Sequence, residues 1–164
     1  MKRIVFTFTI MMFAVAAFSQ QIYNIKVSDR QDGTFEQYYG TVKVTGNILN
    51  GMKEGSWVEN HPNSELPHFI IQYKEGKKDG LYLEFDKQGN IVKKVDYKND
   101  MIDGMSHVWR KGGMLSVKQE YKAGQLHGLS MIYTDKGFIQ EESVYKEGKR
   151  DGMTIWYSYA DKQQ

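Results

Sequence analysis

The side chains able to perform acid–base, nucleophilic or metal chemistry are few and scattered along the chain. Four histidines, His61, His68, His107 and His127, fall in different parts of the sequence, with no serine or threonine near them in a nucleophile motif and no metal-ligand spacing. His127 stands where Asp79, Asp103 and Asp151 stand in related stretches, which reads as a turn residue rather than a ligand. Glu141 and Glu142 are adjacent, so on a strand they point to opposite faces and cannot form a catalytic carboxylate pair. The chain has no cysteine, which excludes disulfides and thiolate chemistry. No glycine cluster precedes a helical pattern, so no phosphate-cradling loop is expected. The reading is a non-enzyme without metal or cofactor.

Two periodic sets of side chains could instead form a binding surface. Phe85, Trp109, Tyr133 and Tyr157 recur every 24 residues, and so do Lys74, Lys98, Lys122 and Lys146. An aromatic ladder could stack on a sugar chain, grip a peptide or simply hold neighbouring units together. A lysine ladder could meet lipid phosphate, or be balanced in solvent by Asp79, Asp103 and Asp151.

Those ladders require a repeating scaffold, and the sequence spells one out. "YKEGKKDG" at 73–80 returns as "YKEGKRDG" at 145–152, with "YKNDMIDG" from Tyr97 and "YKAGQLHG" from Tyr121 between them. Each of Tyr73, Tyr97, Tyr121 and Tyr145 is followed seven residues later by a glycine: Gly80, Gly104, Gly128 and Gly152. A second glycine set, Gly89, Gly113 and Gly137, keeps the same spacing and sits in short polar stretches suited to tight turns. Between turns the apolar residues alternate with period two: Leu81, Leu83 and Phe85 share one face, as do Met105, His107 and Trp109. Each 24-residue unit is therefore expected to be a β-hairpin, with a longer link running from Lys74 to Gly80. The predicted fold is all-β, an elongated single antiparallel sheet of tandem hairpins, about ten strands in all.

A degenerate unit precedes these: Gly51, Gly55 and Trp57 match Gly76, Gly80 and Tyr82 with one inserted residue. The repeat region spans residues 46–157, with a capping segment at 20–45 and a polar tail at 158–164. Residues 1–19 carry Lys2 and Arg3, then an apolar run from Ile4 to Phe18, with small residues at Ala17 and Ser19. That pattern reads as a signal peptide cleaved before Gln20, since the run is shorter than the roughly 20 residues of a membrane span. Removing Lys2 and Arg3 leaves 20 basic against 20 acidic residues. A neutral chain lacks the basic excess of nucleic-acid binders.

The pattern of turn glycine, apolar strand and "YK-x-G-x-x-x-G" resembles the MORN-repeat variant found in tandem in bacterial proteins, some labelled antitoxin-like. The resemblance covers about residues 46–157. It implies an elongated array of hairpins used for protein or membrane-lipid contact. The tryptophan common after the conserved glycine in that family is kept only at Trp57, with Tyr82, Ser106, Ser130 and Thr154 at the later stations. The leading expectation is a periplasmic or secreted scaffold that binds another envelope protein. Alternatives are a glycan or anionic-lipid module built on the two ladders, and an antitoxin-like protein neutralising an exported toxin.

Overall fold

The computed structural model describes Ile22 and residues 24–158. The expected leader at 1–19 and the expected tail beyond Ser158 lie outside the described residues. Eleven strands follow one another: β1 (Gly33–Tyr39), β2 (Val42–Leu49), β3 (Met52–Asn60), β4 (Pro67–Lys74), β5 (Lys77–Phe85), β6 (Ile91–Lys98), β7 (Met101–Trp109), β8 (Leu115–Lys122), β9 (Gln125–Tyr133), β10 (Ile139–Lys146) and β11 (Lys149–Trp156). They form one open antiparallel sheet in which every strand pairs with its neighbours in sequence. The all-β hairpin array expected from the 24-residue period is what the chain forms. The capping residues 20–45 include β1 and the start of β2, so part of that segment extends the sheet itself.

Turn chemistry sets the register. At one end of the hairpins the connections take two residues: Asn50-Gly51, Glu75-Gly76, Asn99-Asp100, Ala123-Gly124 and Glu147-Gly148, all at positive φ. Lys74 pairs with Lys77, and Lys98 with Met101, directly across such turns. The longer link expected from Lys74 to Gly80 is thus corrected: the turn is the tight form whose twist matches that of the strands, and β5 has already begun at Lys77. What looked like link is strand interrupted by a bulge, in which Asp79, Gly80 and Leu81 face the single residue Gln72.

The bulge explains the second glycine of the motif. Gly80 and Gly104 have φ of 109° and 116°, where a side chain is strained. The space beside them is also taken. The Leu81 N–H donates to Gln72 Oε1 at 2.8 Å and the Met105 N–H to Asp96 Oδ2 at 2.9 Å, and a Cβ on Gly104 would sit 2.9 Å from Asp96 Cβ. Glu120 occupies the same place against Gly128. The fourth member of the Gln72, Asp96, Glu120 series is Val144, which is exposed and leaves Gly152 with nothing within 4 Å.

Three of the opposite ends, after β5, β7 and β9, close through three-residue loops. In the first, the Asp86 N–H donates to Asn90 O at 2.9 Å and the Gly89 N–H to Asp86 O at 3.0 Å, with Gly89 at φ 82°. Arg110 to Met114 and Thr134 to Phe138 repeat these bonds. The expected turns at Gly89, Gly113 and Gly137 are therefore present.

Apolar burial is confined to one face and one end. The core comprises Ile22, Ile25, Val27, Phe35, Val44, Ile48, Trp57, Phe69, Ile71, Tyr73, Tyr82 and Val95. Trp57 lies flat on Gly46, whose absent Cβ would fall 2.2 Å from the indole, and the indole N–H donates to Asn47 O at 3.1 Å. Phe35 and Tyr73 pack against the same ring, at 4.9 and 6.4 Å between centroids.

Candidate functional site

One row of directly opposed residues crosses the sheet from β3 to β11: Trp57, Ile71, Tyr82, Val95, Ser106, Gln119, Ser130, Ser143 and Thr154. Its first four members are buried and apolar. From Ser106 onward every member carries a hydroxyl or an amide.

The first half of this face is covered by the chain itself. Ile22, Ile25 and Val27 are buried in the core formed with β1 to β6. The backbone of Ile22 is held on both sides: its N–H donates to Glu59 Oε2 at 3.3 Å, and its carbonyl accepts a short hydrogen bond from Lys53 Nζ. Lys53 Nζ also lies 5.3 and 5.2 Å from the Trp57 and Tyr73 ring centroids. Both charged groups are almost fully removed from water, Glu59 at 1% exposure. Burial pushes the Glu59 carboxyl up to about 7 and the Lys53 ammonium down to about 8. Two side chains that disfavour their charged forms are thus used to seat a peptide group, one accepting from it and one donating to it.

The second half of the face carries hydrogen-bonding groups, with Ser106, Ser130 and Ser143 buried and Gln119 half-buried. Gln119 Nε2 donates to Ser130 Oγ at 3.2 Å, and the Tyr121 hydroxyl donates to Gln119 Oε1 at 3.1 Å. Ser143 Oγ donates to Glu141 Oε1 at 2.7 Å, and the same oxygen accepts from Arg150 Nη2 at 2.7 Å. The tyrosines of the repeated phrase flank this row. Burial raises the hydroxyl pKa of Tyr97 and Tyr121, and Lys78 Nζ lies 4.3 Å from the Tyr97 centroid.

The side chains singled out from the sequence lie elsewhere. Phe85, Trp109, Tyr133 and Tyr157 are all half-buried, and none belongs to the core. In β5 the buried residue is Tyr82, which alternates with Leu81, Leu83 and Phe85, so the deepest packing is on the face those three do not occupy. Trp109 stacks on His107 at 5.6 Å, and the Tyr157 hydroxyl donates to Glu142 Oε2 at 3.4 Å. Lys74, Lys98, Lys122 and Lys146 are exposed at the two-residue turns. Two of the aspartates expected to balance them also hold the backbone. Asp79 accepts from the Asn99 N–H at 3.3 Å and Asp103 from the Ala123 N–H at 3.0 Å, each side chain fastening the next turn. Open clefts of about 300 and 420 Å³ lie beside the lysines of the first and last turns of the ladder.

His127 lies in β9 beside the bulge glycine rather than in the turn that the sequence suggests. His61 and His68, seven residues apart, are brought together by the loop that joins β3 to β4: their rings stack at 4.3 Å, and His61 Nε2 lies 3.1 Å from Phe85 O. Burial, reinforced by His61, holds the His68 imidazole down at about 4. Spacing gave no sign of this pair, because it depends on the width of the β3–β4 loop. Among the described residues no group of three or more histidines, aspartates or glutamates is arranged to hold a metal ion.

No protein-family model matches the chain, and no curated protein is similar to it.

Proposed function

We propose that this protein is an exported, non-catalytic scaffold of MORN-like hairpin repeats whose sheet binds another protein of the cell envelope. The observation that carries this reading is the seat of Ile22, Ile25 and Val27: the sheet already binds polypeptide from outside its strands, burying these three side chains and gripping the Ile22 peptide group through Glu59 and Lys53. The same face continues past β6, where Ser106, Ser130 and Ser143 are buried and the half-buried Gln119 and Tyr121 are the groups a polar peptide would meet. The leader pattern in residues 1–19 supports export. An antitoxin-like role has no separate observation in its favour.

The test is affinity capture with residues 20–164 on fractionated envelope material, with bound protein, glycan and lipid all identified by mass spectrometry. The expected result is a stoichiometric protein whose retention falls when Gln119 is changed to Arg. Recovery of glycan or lipid without protein, with retention lost on Trp109→Ala and Tyr133→Ala, replaces this reading by an envelope-binding module.

A further inference from the structure

Four hairpins repeat one cross-strand pair. Gly55 faces Tyr73, Gly80 faces Tyr97, Gly104 faces Tyr121 and Gly128 faces Tyr145. The aromatic ring of such a pair covers backbone that glycine leaves bare within a strand. The fifth glycine of the series, Gly152, lies on β11, which pairs with β10 on one side and, among the described residues, with no strand on the other. The same strand carries Met153, the most exposed of the large apolar residues at 82%, together with Trp156 at 58% and Ile155 at 43%. A sheet edge with unpaired backbone groups and exposed apolar side chains is a template for another strand.

We propose that β11 is a self-association edge, through which two copies of the chain join their sheets antiparallel about a two-fold axis at Thr154. The register follows from the faces. Directly opposed residues of a sheet point to the same side, so a strand can pair with its own copy about a residue but not about the midpoint between two. An axis at Gly152 sets glycine against glycine. An axis at Met153 sets Gly152 against Thr154 and Asp151 against Ile155. An axis at Ile155 sets Gly152 against Ser158. Only the axis at Thr154 places an aromatic, Trp156, opposite Gly152, as in the four interior pairs. It also sets Met153 against Ile155, so two exposed apolar side chains cover each other. Thr154 meets its own copy, and the row Ser130, Ser143, Thr154 continues across the axis into the second sheet. The occupant of the edge is therefore a second copy of this chain.

The chain has no cysteine, which makes the register directly testable. Opposed Cα atoms in an antiparallel pair lie about 4.5–5.5 Å apart, within the range a disulfide spans. Thr154→Cys is expected to give a covalent dimer under mild oxidation. Ile155→Cys, whose opposite number is Met153, is expected to stay largely uncrosslinked. Sedimentation equilibrium of the cysteine-free chain at micromolar concentration should give twice the monomer mass, and Trp156→Lys should return it to monomer with its circular dichroism unchanged. A monomer at all concentrations overturns the proposal, as does equal crosslinking at both positions. An open series of larger oligomers overturns it too, because that marks β11 pairing with β1 of the next copy.

Discussion

Strands β3 to β6 and strands β7 to β11 are built from the same repeating unit, with the same two-residue turns and the same bulge, yet only the first set has a dry core. The central row reads Trp57, Ile71, Tyr82, Val95 in one region and Ser106, Gln119, Ser130, Ser143, Thr154 in the other. Backbone pairing is alike in both, so the difference lies in the side chains at one station per strand. Glycines and turn residues make the hairpin, and the residue two places after the bulge glycine decides whether its face closes. Where that residue is large and apolar, it joins the core that Ile22, Ile25 and Val27 help to fill; where it is a serine, the face keeps polar groups. In a stacked array whose units touch only their neighbours, such a difference is felt locally.

The sharpest way to break the comparison is to empty the first region. Trp57→Ala removes a fully buried indole held against Gly46, Phe35 and Tyr73, and is expected to cost about 3–5 kcal/mol. Ser130→Ala removes one partner of the Gln119 hydrogen bond, and should cost about 1 kcal/mol or less. Urea denaturation of both variants checks this. Equal losses would mean that the two regions do not differ in packing.

The bulge glycines provide the next contrast. Gly104 and Gly152 share positive φ, at 116° and 98°, but a Cβ on the first meets Asp96 Cβ at 2.9 Å and one on the second meets nothing within 4 Å. Valine at either position carries the backbone strain, about 1–3 kcal/mol. At Gly104 it also displaces a side chain that cannot swing its Cβ aside and breaks the Met105 to Asp96 hydrogen bond. Gly104→Val should therefore lower the thermal midpoint clearly more than Gly152→Val does. Equal shifts would leave conformational strain as the whole reason for the glycine.

Proton linkage separates the regions again. Glu59 keeps its proton in the fold up to about pH 7, against an ordinary carboxyl value of 4.5. The folded state thus binds a proton that the unfolded chain releases, so the stability tied to Glu59 is full below pH 4.5 and is lost as pH rises towards 7. A loss of about 2–3 kcal/mol is expected over that window, and Glu59→Gln should flatten it in denaturation curves taken from pH 4.5 to 7.5. Lys53 acts with the opposite slope at higher pH, since its depressed value of about 8 means that stability falls as pH drops from 10.5 towards 8. Glu141, the buried carboxylate of the second region, is instead paired with Arg150 at 2.7 Å.

How much of this could be read beforehand follows from what each feature depends on. The hairpins were legible because glycine and the Tyr-Lys stations recur at fixed spacing and the strands alternate. The tight turn at Glu75-Gly76 was not, because the bulge at Gly80 sends three residues past one and makes strand look like link. The buried face was hard to read for a related reason. Leu81, Leu83 and Phe85 are the conspicuous apolar set, while Tyr82 shares its face with Gly80 and Glu84 and yet is the residue that the core encloses. The seat of Ile22 joins it to Glu59 across 37 positions, a contact for which a local pattern carries no signal. The stacking of His61 on His68 likewise depends on a loop geometry outside the repeat.

The finest difference between the regions is also the easiest to restore. Gln72 and Asp96 accept the N–H that each bulge leaves unpaired in its strand, and Glu120 stands in the same place in the third repeat. In the fourth, Val144 leaves the corresponding N–H of Met153 without that acceptor, and the space beside Gly152 is open. Val144→Glu returns a carboxylate to the position and removes an exposed apolar side chain. It should raise stability by about 0.5–1.5 kcal/mol, the net value of one hydrogen bond. The increase should appear in hydrogen exchange as slower opening of β10 and β11 with β3 to β6 unchanged, because a gain at one end of a nearest-neighbour array stays there. Slower exchange throughout the sheet would show instead that the dry and polar regions open as a single unit.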